Sequence, residues 1–406
     1  MRILVVGSGG VGAAFAPIVG RRDYYEHVVF ADIDEGRAQR VVDRFGANGR
    51  FSATRVDATS AEDVAGVAKS NGIDAILNAA DPRFVPGIFQ GAFEAGATYL
   101  DMAMSLSHPH PEKPYEQVGE KLGDAQFAAA KGWEERGQLA IVGCGTEPGF
   151  SDVAARYSAD HLFSRIDEIG VRDGANLEVR GHAFAPTFSI WTTIEECLNP
   201  PLIWEKDRGW FTTEPFSEPE AFTFPEGIGE VECVNVEHEE VVLIPRWIEC
   251  NRVTFKYGLG DEFIGVLEAI RKLGLDRTEP VKVGGVEVSP RDVVAAVLPD
   301  PAFLGEEMTG KTCAGTWVRG AGTDGEPREV YVYHVVDTEE TWAMDHTQAV
   351  TWQTAINPSI ALELVASGVW SGAGVLGPEV FDAMPFLDLL NDYGSPWGMT
   401  EMTPRA

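Results

Sequence analysis

The first 34 residues restrict the fold of this chain more than any other stretch. Residues 3–6 are an apolar run with the composition of a strand buried on both faces. The run leads into a G-x-G-x-x-G spacing at residues 7–12, then into a helical pattern and a second β-rich run that ends at Asp32. A strand, a glycine turn, a helix and an acidic residue 20 positions after Gly12 form the context in which this motif binds a dinucleotide.

The glycines of the motif have separate predicted roles. Gly7 permits a tight turn, Gly9 lets the backbone approach a pyrophosphate, and Gly12 allows the helix to pack closely on the strand. The free N–H groups of the new helix face the phosphate charge. Pro17 lies inside this helix and predicts a kink. The predicted phosphate loop consists of Gly7, Ser8, Gly9, Gly10, Val11 and Gly12.

Asp32 indicates which dinucleotide binds. A carboxylate at the end of the second strand accepts the ribose hydroxyls of NAD and repels the 2′-phosphate of NADP. Asp34 and Glu35 add negative charge, and the first cation beyond them is Arg37. The sequence therefore predicts NAD rather than NADP, with an acidic loop that plays no part in cofactor choice as the alternative.

Composition and charge exclude several classes of function. The chain has 406 residues, 44% of them hydrophobic, which suffices for two globular domains. It has no apolar run of the roughly 20 residues that a membrane helix needs, and we expect a cytoplasmic protein. A net charge of −31 argues against nucleic acid or an anionic membrane as partner. It favours a cationic small substrate such as a diamine or polyamine, although acidity also serves solubility.

Five widely spaced cysteines without a C-x-x-C pair predict reduced thiols and no metal framework. His108 and His110 lack a third ligand at a suitable spacing, so we expect a solvated loop there.

Alternating strand and helix patterns predict an α/β fold with a doubly wound parallel sheet, a Rossmann domain, over residues 1–150. A long helix is expected at 114–136. Residues 151–344 mix strand and helix patterns, including a predicted strand at 231–243, and indicate an α+β substrate and dimerisation domain. Residues 345–390, whose helical pattern is interrupted at Asn357-Pro358, are expected to return to the first domain, and 391–406 to form a tail.

Ligands of such sheets bind beyond the carboxyl ends of the strands. That rule places several further side chains and loops at one rim, beside the glycine loop and Asp32. They are Asp57 and Ala58, Asn78 and Ala79, Asp101, and residues 144–150.

Three segments of the rim carry a family resemblance. The GSGGVG turn, the Tyr99-Leu100-Asp101 strand end and the G-x-G-x-x-P-G loop at residues 143–149 together resemble the saccharopine dehydrogenase family. The resemblance implies a Rossmann domain, an inserted substrate domain used in homodimerisation, and hydride transfer between a nicotinamide and a carbon that bears nitrogen. The family loop commonly has Asp before Pro-Gly, whereas this chain has Glu147.

The chemistry requires a carboxylate that stabilises an iminium ion or moves the amine proton. Asp101 and Glu147 are the candidates on the rim, and His238, flanked by three glutamates, is a candidate acid or base. Each has a structural alternative: capping or solvation of a loop for the carboxylates, and an exposed strand end for His238. The candidate substrate-binding residues are Cys144, Thr146 and Arg172, with Arg180 as a second possible carboxylate clamp.

The sequence thus predicts an NAD-dependent oxidoreductase that acts at a C–N bond of an amino acid, opine or polyamine precursor. Two alternatives remain open: an amino acid dehydrogenase that releases ammonia, and a non-catalytic NAD-binding protein.

Overall fold

The computed structural model describes residues 1–46 and 49–404. The first third of the chain alternates strands and helices without exception up to the fifth strand. Its elements are β1 (Arg2–Val6), α1 (Gly10–Gly20), β2 (His27–Asp32), α2 (Glu35–Phe45), β3 (Phe51–Arg55), α3 (Ala61–Ser70), β4 (Ala75–Asn78), α4 (Val85–Ala95), β5 (Thr98–Asp101), α5 (Asp124–Ala128), α6 (Ala130–Glu135) and β6 (Leu139–Ile141).

The remaining chain contributes both sheets and helices. Its elements are α7 (Phe150–His161), β7 (Phe163–Ala175), β8 (Glu178–Val179), α8 (Ile190–Leu198), β9 (Leu202–Glu205), β10 (Gly209–Thr212), β11 (Glu220–Phe224), β12 (Gly229–Asn235), α9 (Glu240–Trp247), β13 (Arg252–Gly258), α10 (Asp261–Lys272), β14 (Val281–Val283), β15 (Val286–Val288), α11 (Pro290–Val297), β16 (Met308–Thr309), β17 (Lys311–Gly322), β18 (Pro327–Asp337), α12 (Thr338–Asp345), α13 (Ala349–Ala366), β19 (Gly374–Leu376), α14 (Ala383–Asp392) and β20 (Trp397–Met402).

A parallel sheet of seven strands carries the nucleotide rim. Its order is β19-β6-β5-β4-β1-β2-β3, with β1 at the point where the chain reverses direction across the sheet. Val5 pairs with Phe30 on one side and Leu77 on the other, and all three are fully buried. Burial on both faces is why these strands read as continuous apolar runs. The predicted doubly wound fold is confirmed.

The second sheet has nine strands and carries the substrate side of the molecule. Its main path is β10-β9-β13-β7-β17-β18-β20, and β11 and β12 branch from β13. The central pair β7 and β13 runs parallel, while β7 and β17 are antiparallel. The second α+β region that the sequence predicts is thus present as a separate mixed sheet.

Residues beyond 345 join the two sheets. Helix α13 packs on α1, where Arg22 makes an ion pair with Glu363 at 2.7 Å. Strand β19 then adds to the parallel sheet beside β6. Helix α13 is continuous, with Pro358 inside it, and α1 likewise runs through Pro17. The predicted interruption at Asn357-Pro358 was therefore wrong.

The long helix predicted at 114–136 is replaced by a loop and two short helices, α5 and α6. Two glycines explain the difference. A Cβ at Gly119 would lie 2.0 Å from the carbonyl oxygen of His108, and Gly123 has φ +74° just before α5. The close approach and the left-handed backbone are both incompatible with a helix through this stretch.

Two further predictions differ at strand boundaries. The strand expected at 231–243 ends at Asn235, because the chain then turns inward and buries Glu237, His238 and Glu239 before α9 begins. The expected tail contains β20, which pairs antiparallel with β18. In the part of the chain that the structure covers, no helix is both long and apolar enough to cross a membrane.

Candidate active site

The phosphate loop has the geometry that the sequence predicts for a dinucleotide. Gly7 has φ +102°, and a Cβ there would lie 2.5 Å from the carbonyl oxygen of Ala79. A Cβ at Gly12 would lie 2.0 Å from the carbonyl oxygen of Gly7, so only glycine lets α1 start this close to β1. A Cβ at Gly9 would meet no atom within 4 Å. The backbone at Gly9 therefore faces open space, which fits the approach of a pyrophosphate.

Asp32 is fixed by backbone donors at the end of β2. Ser8 N donates to its Oδ2 at 3.0 Å, and Asp34 N donates to its Oδ1 at 3.0 Å. Each carboxylate oxygen keeps a second lone pair. The carboxylate is thus held in place beside the glycine loop, with acceptor capacity left for ribose hydroxyls.

The other predicted rim residues position turns. Asp57 accepts from Thr59 N and Thr59 Oγ1 at 3.0 and 2.6 Å, in a turn that contains Ala58. Asn78 is buried, accepts from Ala80 N at 3.0 Å, and donates to the Tyr99 hydroxyl at 3.1 Å.

Asp101 is fully buried. It accepts hydrogen bonds from Gly143 N at 2.7 Å, Gln126 Nε2 at 2.7 Å and the Tyr99 hydroxyl at 2.9 Å. Burial raises the pKa of Asp101 to about 7, although these donors partly oppose it. Asp101 therefore ties the end of β5 to the turn after β6, and its catalytic role stays a prediction.

Cys144 and Thr146 are also enclosed, at 1% and 2% exposure. Burial raises the pKa of the Cys144 thiol, and Thr146 Oγ1 accepts from Asn357 Nδ2 at 3.1 Å. Thr146 thereby connects the loop after β6 to α13. The structure gives these two side chains packing and linking positions, and the substrate contacts expected of them stay predictions.

Glu147 differs from Asp101 in its burial: Asp101 is fully enclosed, whereas Glu147 is only half-buried. Its carboxyl group shares a hydrogen bond with the carboxyl group of Asp173 on β7. The Tyr257 hydroxyl on β13 lies 3.5 Å from Glu147 Oε1. Burial and the neighbouring carboxyls raise the pKa of Glu147 well above its usual range, so the pair retains a proton.

His238 is buried, which corrects the exposed strand end offered as its structural alternative. Its Nδ1 lies 2.6 Å from Glu240 Oε2 and 3.3 Å from Glu239 Oε2. The imidazole stacks on Phe255 at 3.7 Å between ring centroids. Burial lowers the pKa, but Glu240, Glu239 and Glu196 outweigh it and raise the pKa of His238 to about 10. His238 is therefore an imidazolium at neutral pH, held by Glu240.

These groups belong to one set, which we call the acid cluster. It consists of Glu147, Asp173, Glu196, Glu237, His238, Glu239 and Glu240. Burial and the other carboxyls raise the pKa of both Glu196 and Glu237 to about 8. Within the residues that the structure describes, His238 is the one cation among the main electrostatic influences on Asp173, Glu196 and Glu239.

Arg172 does not contribute to this cluster. It neighbours Asp173 on β7, so the two side chains project to opposite faces of the sheet. Arg172 is 1% exposed and its Nε donates to Glu220 Oε1 at 2.6 Å, beside Lys256. The structure places Arg172 in this ion pair on the far face of β7, apart from the acid cluster, and its role in substrate binding stays a prediction. Arg180 is exposed on the surface.

His238, Glu239 and Glu240 place their ligand atoms within 4.8 Å of one another, a spacing that a metal ion could use. The short contact between Nδ1 and Glu240 is instead that of a charge-assisted hydrogen bond. A protonated imidazole offers no lone pair to a metal at Nδ1. His238 therefore forms an ion pair with Glu240, and the carboxylate of Glu239 lies next to this pair.

Asp173, Glu196 and Tyr257 were not singled out from the sequence. They lie on β7, α8 and β13, which are far apart in the chain. Two sequence signals indicated the cluster: the E-H-E-E run at 237–240 and Glu147 in the loop before Pro148.

Comparisons with known proteins match the two parts of the chain to two domains of one family. The family model "Saccharopine dehydrogenase NADP binding domain" matches residues 3–141, and "Saccharopine dehydrogenase C-terminal domain" matches residues 145–395. The chain belongs to the saccharopine dehydrogenase family. The predicted family resemblance is thus confirmed, and with it an oxidoreductase of the dehydrogenase type that acts on CH–NH bonds with an NAD(P) cofactor.

Several relatives extend over nearly the whole chain. A carboxynorspermidine synthase of Vibrio alginolyticus is 29% identical, over 100% of this chain and 98% of the relative. A carboxyaminopropylagmatine dehydrogenase of Synechocystis is 26% identical, over 98% and 96%. Among solved structures, a saccharopine dehydrogenase (L-Glu forming) of Saccharomyces cerevisiae matches 99% of this chain and 100% of its own, with a TM-score of 0.68 at 14% identity. That structure supports the fold.

Proposed function

We propose that this protein catalyses NADH-dependent reductive condensation of a diamine or polyamine precursor with an aldehyde. The observation that carries the proposal is the acid cluster, a set of buried carboxyls in which His238 is the principal cation. Buried carboxylates are costly unless a cation neutralises them. A substrate ammonium group supplies that charge, which is why an amine fits this site better than an acid does.

The accessible part of the cluster supports the same substrate. Glu147, Glu196 and Tyr257 keep partial exposure, whereas His238, Glu239 and Glu240 are buried. Phe255 and Tyr257 supply aromatic faces and edges beside His238, and these are favourable neighbours for an alkylammonium chain.

The names of the relatives indicate the aldehyde. They describe amines that bear a carboxyl or carboxyaminopropyl group. If this chain forms the same kind of product, its carbonyl substrate is an amino acid that ends in an aldehyde, such as aspartate semialdehyde. Reduction of the imine formed with an amine then gives a carboxyaminopropyl amine.

For the cofactor we propose NAD rather than NADP. The support is Asp32, whose carboxylate is oriented by Ser8 N and Asp34 N beside the phosphate loop. Asp34 itself pairs with Arg40 at 3.7 Å, which reduces the positive charge available for a 2′-phosphate. When bound, the nicotinamide supplies the hydride that reduces the C=N bond.

Residues of the cluster would divide the proton transfers. The Glu147–Asp173 pair accepts a proton from the incoming ammonium, so that the free amine attacks the aldehyde carbon and a C–N bond forms. His238 donates a proton to the hydroxyl of this adduct, which leaves as water. Glu240 holds Nδ1, and no described residue bonds to Nε2, which leaves that nitrogen for the substrate. The carboxylates stabilise the iminium until it is reduced, and one proton from solvent completes the ammonium product.

A turnover assay with purified enzyme tests the proposal. We expect NADH oxidation with aspartate semialdehyde and a diamine together, at least tenfold faster than with either alone. The diamine panel should include 1,3-diaminopropane, putrescine and agmatine. Reduction of NAD by a single amine with release of ammonia would instead establish the amino acid dehydrogenase, and absence of turnover with nucleotide binding intact would favour the non-catalytic alternative.

A further inference from the structure

We propose that Arg83, Trp191 and Arg291 form the subsite for the carboxylate of the aldehyde substrate, an inference that rests on the proposed function. Trp191 is 5% exposed, and its Nε1 has no hydrogen-bond partner among the described residues. Buried donors are almost always paired in native proteins. An unpaired indole N–H beside two guanidinium groups therefore indicates a missing acceptor, and the surroundings favour an anion.

Both arginines lie over the indole. The guanidinium carbon of Arg83 is 4.2 Å from the centroid of the Trp191 ring, and that of Arg291 is 4.6 Å away. The indole shields one side of each guanidinium from water. The lower local dielectric constant that results strengthens the attraction of a guanidinium for a carboxylate. Planar guanidinium groups can also bind a carboxylate with two parallel hydrogen bonds.

The two arginines differ in freedom. Arg291 is 8% exposed, with Nε donating to Asp276 O at 2.6 Å and Nη1 to Glu195. The Arg83 side chain is 39% exposed, and Asp81 orients it through a 3.0 Å bond at Nε. Arg291 is thus held in one position by its partners and lines the subsite, whereas Arg83 is exposed enough to contact a substrate.

In the structure, Arg83 already pairs with a carboxylate of the protein itself. Asp292 Oδ1, at the start of α11, lies 3.3 Å from Arg83 Nη1, and the Asp292 side chain is 54% exposed. Exposed ion pairs of this kind contribute little to stability and exchange readily. Asp292 therefore occupies the position that the substrate carboxylate would take.

The location suits a substrate that bridges cofactor and amine. Arg83 follows β4, whose end at Asn78 lies on the nucleotide rim. Trp191 lies in the first turn of α8, and Glu196 of the acid cluster follows it on the same helix. Five residues of helix rise about 7.5 Å along the axis, so Glu196 lies more than one helical turn beyond Trp191 on α8.

The test compares two aldehydes in three variants. Trp191→Phe removes the N–H and keeps an aromatic ring, and Arg83→Gln removes the charge. In both we expect the KM for aspartate semialdehyde to rise about tenfold or more, with the KM for butanal, which has no carboxylate, and the Kd for NADH unchanged. Arg136→Gln removes a guanidinium that lies 3.9 Å from the Phe93 ring beyond α6, and it should change none of these constants.

Asp292→Asn distinguishes the subsite from a purely structural ion pair. Because the variant removes a competing carboxylate, the KM for aspartate semialdehyde should fall about threefold or more. An increase in that KM, or equal losses with both aldehydes in Trp191→Phe, would overturn the proposal.

Butyrate provides a binding readout that does not require turnover. Calorimetry with the NADH-loaded enzyme should show butyrate binding that weakens about tenfold in Trp191→Phe. If the condensation reaction fails but this binding loss is found, the subsite stands without the proposed reaction. If butyrate binds wild type and Trp191→Phe equally, the subsite is refuted.

Discussion

The nucleotide rim and the acid cluster bind through different means. The rim uses backbone: Gly9 faces open space and Ser8 N orients Asp32. The cluster uses charged side chains that are buried and crowded, such as Glu147 with Asp173 and His238 with Glu240. Exposed backbone N–H groups cost little free energy before a ligand binds, and they donate hydrogen bonds to any phosphate of the right shape. Crowded carboxyls are unfavourable until a cation arrives, so the cluster selects by charge.

Of the substitutions that test this comparison, one at His238 should have the largest effect on catalysis. His238→Gln keeps a polar side chain but cannot exchange a proton near neutral pH. We expect kcat to fall roughly 10³-fold, within the range for loss of a positioned acid or base, with the NADH Kd unchanged. Steady-state kinetics and an NADH titration measure both. A kcat within threefold of wild type would show that the rim and the cofactor perform the chemistry without this proton donor.

The second prediction concerns pH and Asp101, whose folded pKa of about 7 lies above its value in the unfolded chain. Between roughly pH 4 and 7 the folded state binds more protons than the unfolded state, so the free energy of unfolding falls as pH rises. At about 1.4 kcal/mol per pKa unit, Asp101 accounts for a decrease on the order of 4 kcal/mol over this whole pH range. Denaturant melts of wild type and Asp101→Asn at pH 5 and pH 8 should show a smaller decrease in the variant. Equal decreases in both proteins would mean that Asp101 does not titrate in this window.

Glu147→Gln tests whether the acid cluster acts through side-chain charge, in contrast to the backbone N–H groups of the rim. The amide preserves shape and removes the ionisable group next to Asp173. We expect the KM for the diamine to rise and kcat to fall, together lowering kcat/KM by roughly 10²-fold. The Kd for NADH serves as the internal control. A parallel loss of NADH affinity would place Glu147 in the cofactor site.

The smallest expected effect lies on the rim. Asp32→Ala should narrow the preference for NADH over NADPH by about tenfold, which corresponds to 1.4 kcal/mol. Fluorescence titrations with both cofactors measure the ratio, and Asp43→Ala is the matched control, because Asp43 lies on α2 and accepts a hydrogen bond from Gln39 Nε2. Equal affinity of wild type for both cofactors would refute the role given to Asp32.

The sequence determined the nucleotide half of the protein almost completely. The turn Gly7–Gly12, the buried strands and Asp32 depend on local spacing, and local spacing is what hydrophobic periodicity and glycine positions encode. It also identified Glu147 and His238, because a carboxyl beside Pro148 and an E-H-E-E run are visible in one stretch of chain.

Only the tertiary structure decided which carboxyl lies where. Asp101 and Glu147 both follow strands of one sheet, yet the first is enclosed by Tyr99 and Gln126 while the second meets Asp173 and stays half-buried. Arg172 and Asp173 are adjacent in sequence and project to opposite faces of β7. Burial and partners depend on contacts between residues distant in the chain, and the pKa and accessibility that determine function follow from those contacts.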